Sequence, residues 1–296
     1  MNITSLGYVG LRSTMAAEWA KFGPDILGLQ LVPAEREVRL RTDDRAWRIA
    51  VSEDRDSGLA YLGWELPDQT SLEAAFDEIG RAGAAPAWAD DALCAAREVE
   101  QMLICVDPAG NKQELFRNQL READPFVPGR PDVQLASGDL GFGHVVLGVA
   151  DIDACRDFYT NVLGLRLSDL FENPRMRMTF MHCNARHHSL ALGTQTVGLH
   201  HLMIEVGNVD QVGGTLDLCQ QNDVDVVKTL GRHSNDLVFS FYLEAPGGIQ
   251  VEYGANSRLI DEATWRVEHL TRASLWGHQF TPGHGQPRIP AQVGAR

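Results

Sequence analysis

Two histidines and one glutamate, His144, His201 and Glu252, lie in strand-like segments whose alternation would aim all three at one place. In 144–149, Val145, Leu147 and Val149 share one face, whereas His144, Val146 and Gly148 share the other. In 200–206 the apolar face is Leu202, Ile204 and Val206 with His200 in line, and His201, Met203 and Glu205 look the opposite way. In 249–253, Ile249, Val251 and Tyr253 are opposed by Gln250 and Glu252. If helices cover the apolar faces, His144, His201 and Glu252 converge in a cavity. Two imidazoles and a carboxylate on one side of a metal leave adjacent positions open, the arrangement of Fe(II) sites that bind a substrate and O2 together. Ten histidines allow such trios to be picked by chance, and the separations far exceed local ligand spacings. Alternation alone therefore leaves a purely structural role open.

The elements that must position these residues come from an internal repeat. Leu6-Gly7-Tyr8-Val9-Gly10-Leu11 matches Phe142-Gly143-His144-Val145-Val146-Leu147, and the Ile26 to Leu31 segment matches Val162 to Leu167. Pro108 and Glu114 match Pro246 and Glu252, while Gly63 to Leu66 and the stretch Ser71 to Gly83 match Met203 to Val206 and Gln211 to Asp223. In the N-terminal copy the trio becomes Tyr8, Tyr61 and Glu114, so only the carboxylate remains. Between the copies, Arg121 to Pro131 carries Pro125, Pro128 and Pro131, which break regular structure. The predicted organisation is an N-terminal copy over 1–120, a linker over 121–137, a metal-binding copy over 138–281 and a flexible tail over 282–296. Each copy runs strand, helix, further strands, twice over. The fold class is α+β: two similar domains, each of two βαβββ modules closing an incomplete barrel around a cavity.

The chain has 296 residues, room for two domains, and 44% of them are hydrophobic, so a disordered state is excluded. A formal net charge of -14, from 26 basic and 40 acidic residues with no basic patch, disfavours nucleic acid and anionic membranes. No apolar run approaches membrane-span length and the N-terminus lacks a signal-peptide layout, so a cytoplasmic protein is expected. Five cysteines without a CxxC pair fit a reducing compartment better than a disulfide scaffold.

From residue 2 to about 281 the chain resembles the type I extradiol ring-cleaving dioxygenases of the vicinal oxygen chelate superfamily, particularly the two-domain dihydroxybiphenyl dioxygenases. The most specific segment is Gly231 to Glu252, with Gly231-Arg232-His233, Phe241-Tyr242, Pro246-Gly247-Gly248 and the terminal Glu252 in order. Gly141 to His144, His182 to Ser189 and Ser274 to His278 agree. The resemblance implies that His144, His201 and Glu252 are Fe(II) ligands, that His188 is the acid/base residue beside O2, and that His233 and Tyr242 contact the catecholic oxygens. The implied partners are a catechol and O2, in a protein expected to be a homo-oligomer. The implied reaction inserts both atoms of O2 beside the diol of a bicyclic or otherwise substituted catechol, giving a yellow semialdehyde or dienoate. Dihydroxybiphenyl, dihydroxynaphthalene and secosteroid catechols stay open as substrates, Mn(II) stays open as the metal, and a glyoxalase-type isomerase or a metal-free binding module are the alternatives.

Of the remaining features, Trp47 in Arg45 to Val51 reads as strand core or inter-domain packing. Cys155 and Cys219 read as small buried helix residues, Cys183 receives no role, and His284 reads as a solvated tail residue. His187 and His188 read either as a polar surface turn or as adjacent strand positions of which only one can face the site, and Phe171 to Thr179 as pocket wall.

Overall fold

A computed structural model describes residues 1–284. The repeat in the sequence is a repeat in space. The first unit runs β1 (Ser5–Ser13), α1 (Trp19–Phe22), β2 (Gln30–Val32), β3 (Val38–Arg41) and β4 (Ile49–Glu53). The second runs β5 (Gly58–Glu65), α2 (Gln69–Arg81), β6 (Ala87–Trp88), α3 (Asp91–Arg97), β7 (Val99–Val106) and β8 (Lys112–Gln119), so a short helix interrupts the expected βαβββ order. The third is β9 (His144–Gly148), α4 (Ile152–Asp157), β10 (Arg166–Asn173), β11 (Met176–His182) and β12 (Leu190–Gly193). The fourth is β13 (Gly198–Val206), α5 (Val209–Gln221), β14 (Val226–His233), β15 (Phe239–Ala245) and β16 (Ile249–Ala255). Two strands that the repeat did not foretell, β17 (Glu268–Leu270) and β18 (Ser274–Gly277), extend the second sheet.

The first two units share an eight-stranded sheet, β2-β3-β4-β1-β5-β8-β7-β6, and the others a ten-stranded one, β17-β10-β11-β12-β9-β13-β16-β15-β14-β18. Equivalent strands pair in the same register: Gly63 lies opposite Glu114 as Met203 lies opposite Glu252. The helices repeat as well. Asp68 caps α2 by accepting from Ser71 N–H and Asn208 caps α5 by accepting from Gln211 N–H, each freeing the chain to turn from strand to helix. Leu72, Ala75 and Ile79 of α2 and Val212, Thr215 and Cys219 of α5 are buried at the spacing of one helical face.

One face of each sheet, with its helices, joins a single apolar core that includes Val9, Leu62 and Leu115 of the first half and Val145, Leu202 and Val251 of the second. The halves interlock there: Trp19 Nε1 donates to Pro246 O at 2.9 Å and Tyr159 Oη to Asp107 Oδ2 at 2.7 Å. The proline-rich segment between the halves is pinned to both, since Arg130 donates to Ile26 O at 2.8 Å and to Thr215 Oγ1 at 2.9 Å. The opposite face differs between the copies. In the first it carries a packed cluster of Tyr8, Trp47, Tyr61, Met102 and Phe116. In the second it opens as the pocket that contains His144, His201 and Glu252. Among the described residues no helix is long and apolar enough to cross a membrane. Residues 285–296, most of the expected tail, lie outside those described.

Candidate metal centre

Because β9, β13 and β16 are consecutive in the sheet, residues far apart in sequence become neighbours on one face. His144 Nε2 and His201 Nε2 are 3.4 Å apart, and each is 3.3 Å from Glu252 Oε2. All three side chains are buried. Three donors about 2.1 Å from a shared centre, at mutual angles near 100°, would be roughly 3.2 Å apart, so the triangle fits a transition metal held on one face. A second trio, His144, His188 and Asp236, is close enough to hold an ion. Its His188 Nδ1 to Asp236 Oδ2 separation is 3.8 Å, and Asp236 Oδ1 is already accepting from Val238 N–H.

The outer layer of polar contacts orients the first trio. Glu252 Oε1 accepts from Ser240 Oγ at 2.6 Å, and the same hydroxyl lies 3.1 Å from His278 Nε2, whose Nδ1 meets Ser274 Oγ at 2.8 Å. His201 Nδ1 lies 2.7 Å from His200 Nδ1, fixing its ring so that Nε2 faces the triangle. Gly231 permits this layer: a Cβ there would come within 2.6 Å of the His278 backbone nitrogen, so β18 reaches the site only past a glycine. Ser240→Ala is expected to weaken metal affinity by roughly 10- to 100-fold with little change in fold, as outer-layer substitutions do. Competition with a calibrated chelator measures it, and unchanged affinity would refute the role.

His233 and Tyr242 form the outer wall. Tyr242 Oη is 2.7 Å from His233 Nε2, which is also 3.2 Å from Glu252 Oε1, and His233 Nδ1 lies 2.9 Å from Ala273 O. His188 closes the other side, with its ring stacked on His144 at 3.9 Å between centroids. Both residues of the His187–His188 pair are buried in the loop before β12 and not in a strand, yet only His188 lines the pocket, so one of the pair faces the site as expected. His187 turns away to bond Asp169 Oδ2 at 2.9 Å, and its Nδ1 lies 3.1 Å from His188 Nδ1.

Alternation also misplaced His200. It lines the pocket beside His201, since the β13–β9 register shifts between Leu199 and His201 and leaves His200 as the extra residue of a bulge. Trp47 likewise belongs to the loop before β4, at the place equivalent to His188, and is packed in the core of the first half. There Tyr8 stacks on Phe116 and packs at a tilt against Trp47, each at 4.6 Å between ring centres. The residual carboxylate, Glu114, is neutralised by Arg97 at 2.9 Å and Lys112 at 2.8 Å and accepts from Tyr8 Oη at 2.9 Å. Among the described residues, the groups placed closely enough to hold an ion lie in the second half. Phe171, Met176 and Met178 do line the pocket of the second half, as expected. Cys155 and Cys219 are buried helix residues, and burial pushes the Cys183 thiol up to about 11, far from a reactive thiolate.

Burial dominates the electrostatics. It holds His188 and His201 well below the ordinary 6.5, brings His200 and His278 down to about 4, and lowers His182. Burial would raise Glu252, but His233 and hydrogen bonds from His144 and His201 hold it well below the usual carboxylate range. His233 runs the other way: burial would lower it, and Glu252 raises it. On unfolding below pH 6.5 the five depressed imidazoles take up protons that the folded state refuses, so stability falls as pH falls. The His233 contribution, present below 6.5 and lost above its folded value, opposes this from a single group. The metal-free Tm should therefore drop steadily from about pH 7 to 5, each imidazole contributing up to about 1.4 kcal/mol per pH unit. Thermal melts test it, and a flat or rising Tm would contradict it.

Comparison with known proteins adds the family. Residues 141–253 match the Glyoxalase/Bleomycin resistance protein/Dioxygenase superfamily, and residues 6–53 match Dihydroxybiphenyl dioxygenase BphC D1. The chain is similar to a biphenyl-2,3-diol 1,2-dioxygenase of Metapseudomonas furukawaii, 36% identical with 94% of each chain covered. It is 34% identical to an iron-dependent extradiol dioxygenase of Rhodococcus jostii, covering 96% of this chain and 99% of that one. Among solved structures it is similar to BphC, a halotolerant catechol dioxygenase, with a TM-score of 0.92, 35% identity and 96% and 97% of the two chains covered.

Proposed function

The chain belongs to the extradiol ring-cleaving dioxygenases of the glyoxalase/bleomycin resistance protein/dioxygenase superfamily, and from that premise we propose that His144, His201 and Glu252 would hold Fe(II) for cleavage of a substituted or bicyclic catechol here. As an extradiol dioxygenase it opens a catechol ring beside the diol with both atoms of O2. The reading assigns catalysis to residues 138–281 and makes residues 1–120 a degenerate, metal-free copy. The observation that carries it is the triangle of donors with 3.3–3.4 Å edges, opening on a pocket rimmed by His188, His233 and Tyr242. Iron bound there supplies Lewis acidity toward the catechol oxygens and a path for electrons from the ring to O2.

The protein groups divide the proton work. His233 Nδ1 donates to Ala273 O, which leaves Nε2 free to take a proton, and Tyr242 Oη at 2.7 Å extends that path to a catechol oxygen. His188 has its Nδ1 turned toward His187, so Nε2 is the atom offered to the reacting oxygen. Phe171, Phe180, Met176 and Met178 form an apolar wall for a ring or its substituent and keep water away. Biphenyl-, naphthalene- and steroid-type catechols all suit such a wall, and a homo-oligomer is the expected assembly.

The test is oxygen uptake by protein loaded anaerobically with Fe(II), with a panel of catechols. The expected result is one O2 consumed per catechol with a yellow ring-opened product. Uptake without that product, or none with any catechol, would overturn the reading.

A further inference from the structure

Lys228 lines the same pocket but belongs neither to the donor triangle nor to its proton-carrying rim. It stands on β14 opposite Tyr242 of β15, in a stretch where the register shifts on both sides of it. Its ammonium lies 4.1 Å from the centre of the Tyr242 ring and 5.1 Å from that of Phe280, held between two aromatic faces. Among the described residues no carboxylate comes within 4 Å of its Nζ. Glu252 is already occupied by His144, His201, His233 and Ser240. Asp236 is engaged by Val238 N–H. Burial lowers the Lys228 ammonium to about 8, so it remains charged at neutral pH. Only the more distant charge of Glu252 offsets that burial, and an ammonium shielded from water without a contacting anion is expensive unless something anionic meets it. Arg272, the other cation of this lining, has its Nη2 bonded to Leu275 O and is likewise without a carboxylate partner among the described residues.

We propose that Lys228 is a specificity-determining residue that selects catechols bearing an anionic substituent, a carboxylate on the ring or on a short side chain. The proposal rests on the ring-cleavage reading above and names the substrate class within it. With the diol beside His233 and Tyr242, a substituent lying across the Tyr242 ring reaches Nζ, and a carboxylate there gains a charge-assisted hydrogen bond from a preorganised donor. The apolar wall of Phe171, Phe180, Met176 and Met178 offers a carboxylate nothing, and of the two lining cations Lys228 is the one enclosed beside Tyr242, whereas Arg272 is exposed.

The test uses two matched pairs of probes, 3-(2,3-dihydroxyphenyl)propionate with its amide and 3,4-dihydroxyphenylacetate with its amide, so that charge changes while shape does not. For each pair the ratio of kcat/KM for the acid to that for the amide is measured in wild type, Lys228→Met and Lys228→Arg. Dissociation constants are measured in parallel by anaerobic titration. Wild type should favour the acid in at least one pair, and Lys228→Met should lower that ratio by roughly 10- to 100-fold, the worth of one charge-assisted bond. Lys228→Arg, which keeps the charge and tests the site even should the methionine variant fold poorly, should retain most of it. A wild-type ratio at or below one in both pairs, or a ratio unchanged in Lys228→Met because acid and amide lose equally, would overturn the proposal and leave Lys228 as a counter-charge to Glu252. Should the loaded enzyme turn over neither acids nor amides nor any neutral catechol, ring cleavage itself fails, which is a different result.

Discussion

Replacing His201 by Ala should give a folded protein that retains no iron through gel filtration and consumes no O2 with any catechol. His201 Nε2 contributes two of the three edges of the donor triangle, so its removal leaves Glu252 Oε2 with His144 alone. The loss of affinity should exceed the roughly 100-fold ceiling of outer-layer changes, because a ligand and not its orientation is lost. A measurement independent of turnover separates this from misfolding. Ligand binding to the native state stabilises it by RT ln(1 + [L]/Kd), about 2.7 kcal/mol when metal is at 100 times Kd, so anaerobic Fe(II) should raise the wild-type Tm and leave that of His201→Ala unmoved. Tyr61, its counterpart in the first half, supplies the control. Among the described residues its buried hydroxyl has no partner, so Tyr61→Phe should keep full iron and equal or greater stability. Stoichiometric iron in His201→Ala, or loss of iron in Tyr61→Phe, would mean that the centre lies elsewhere.

The trio was legible because one physical rule governs all three residues. In a half-buried strand every second side chain faces the same way, and β9, β13 and β16 are long enough for that rule to show through the sequence. What alternation could not supply was that these strands are neighbours, which the sheet order provides. The rule fails where the backbone departs from a regular pleat. The bulge at His200 brings two consecutive histidines to the pocket, and nothing in the side-chain pattern of 198–206 announces an extra residue. His187 and His188 lie in a loop whose burial comes from Asp169 and from the histidine rings around them, contacts made across 18 residues and more. Lys228 escaped notice for a related reason, since β14 carries two register shifts and its facing cannot be counted from either end.

The repeat was legible to a finer degree than the pocket. Matching Gly63 to Met203 and Glu114 to Glu252 reproduces the observed pairing register residue for residue. The fate of the first copy was only half visible: the loss of two histidines shows in sequence, but the seating of Trp47 where the second copy has His188 requires the fold. The strands β17 and β18 were invisible because they are short and have no counterpart in the first half. They matter to the site nonetheless, for β18 leads to His278, which meets the hydroxyl that orients Glu252.

His188→Asn should produce a different failure from the loss of His201: full iron content, a KM close to wild type and a kcat lower by roughly 10²- to 10⁴-fold, the usual worth of a positioned acid or base. The reason lies in what His188 touches. Its ring stacks on His144 without sharing the donor triangle, so its removal takes away no metal ligand. Its Nδ1 faces His187 Nδ1 at 3.1 Å and Asp236 at 3.8 Å, which leaves Nε2 as the atom able to exchange a proton with the reacting oxygen. Burial keeps the imidazole well below 6.5, so it enters each turnover neutral and any proton it delivers must first be taken up during the reaction. The rate of His188→Asn should consequently lose dependence on that internal transfer, and a solvent isotope effect on kcat present in wild type should be altered in the variant. Iron analysis alongside kcat then separates the residue that moves a proton from those that hold the metal. An unimpaired kcat in His188→Asn would remove it from the reaction, whereas a variant stripped of iron would place it among the ligands.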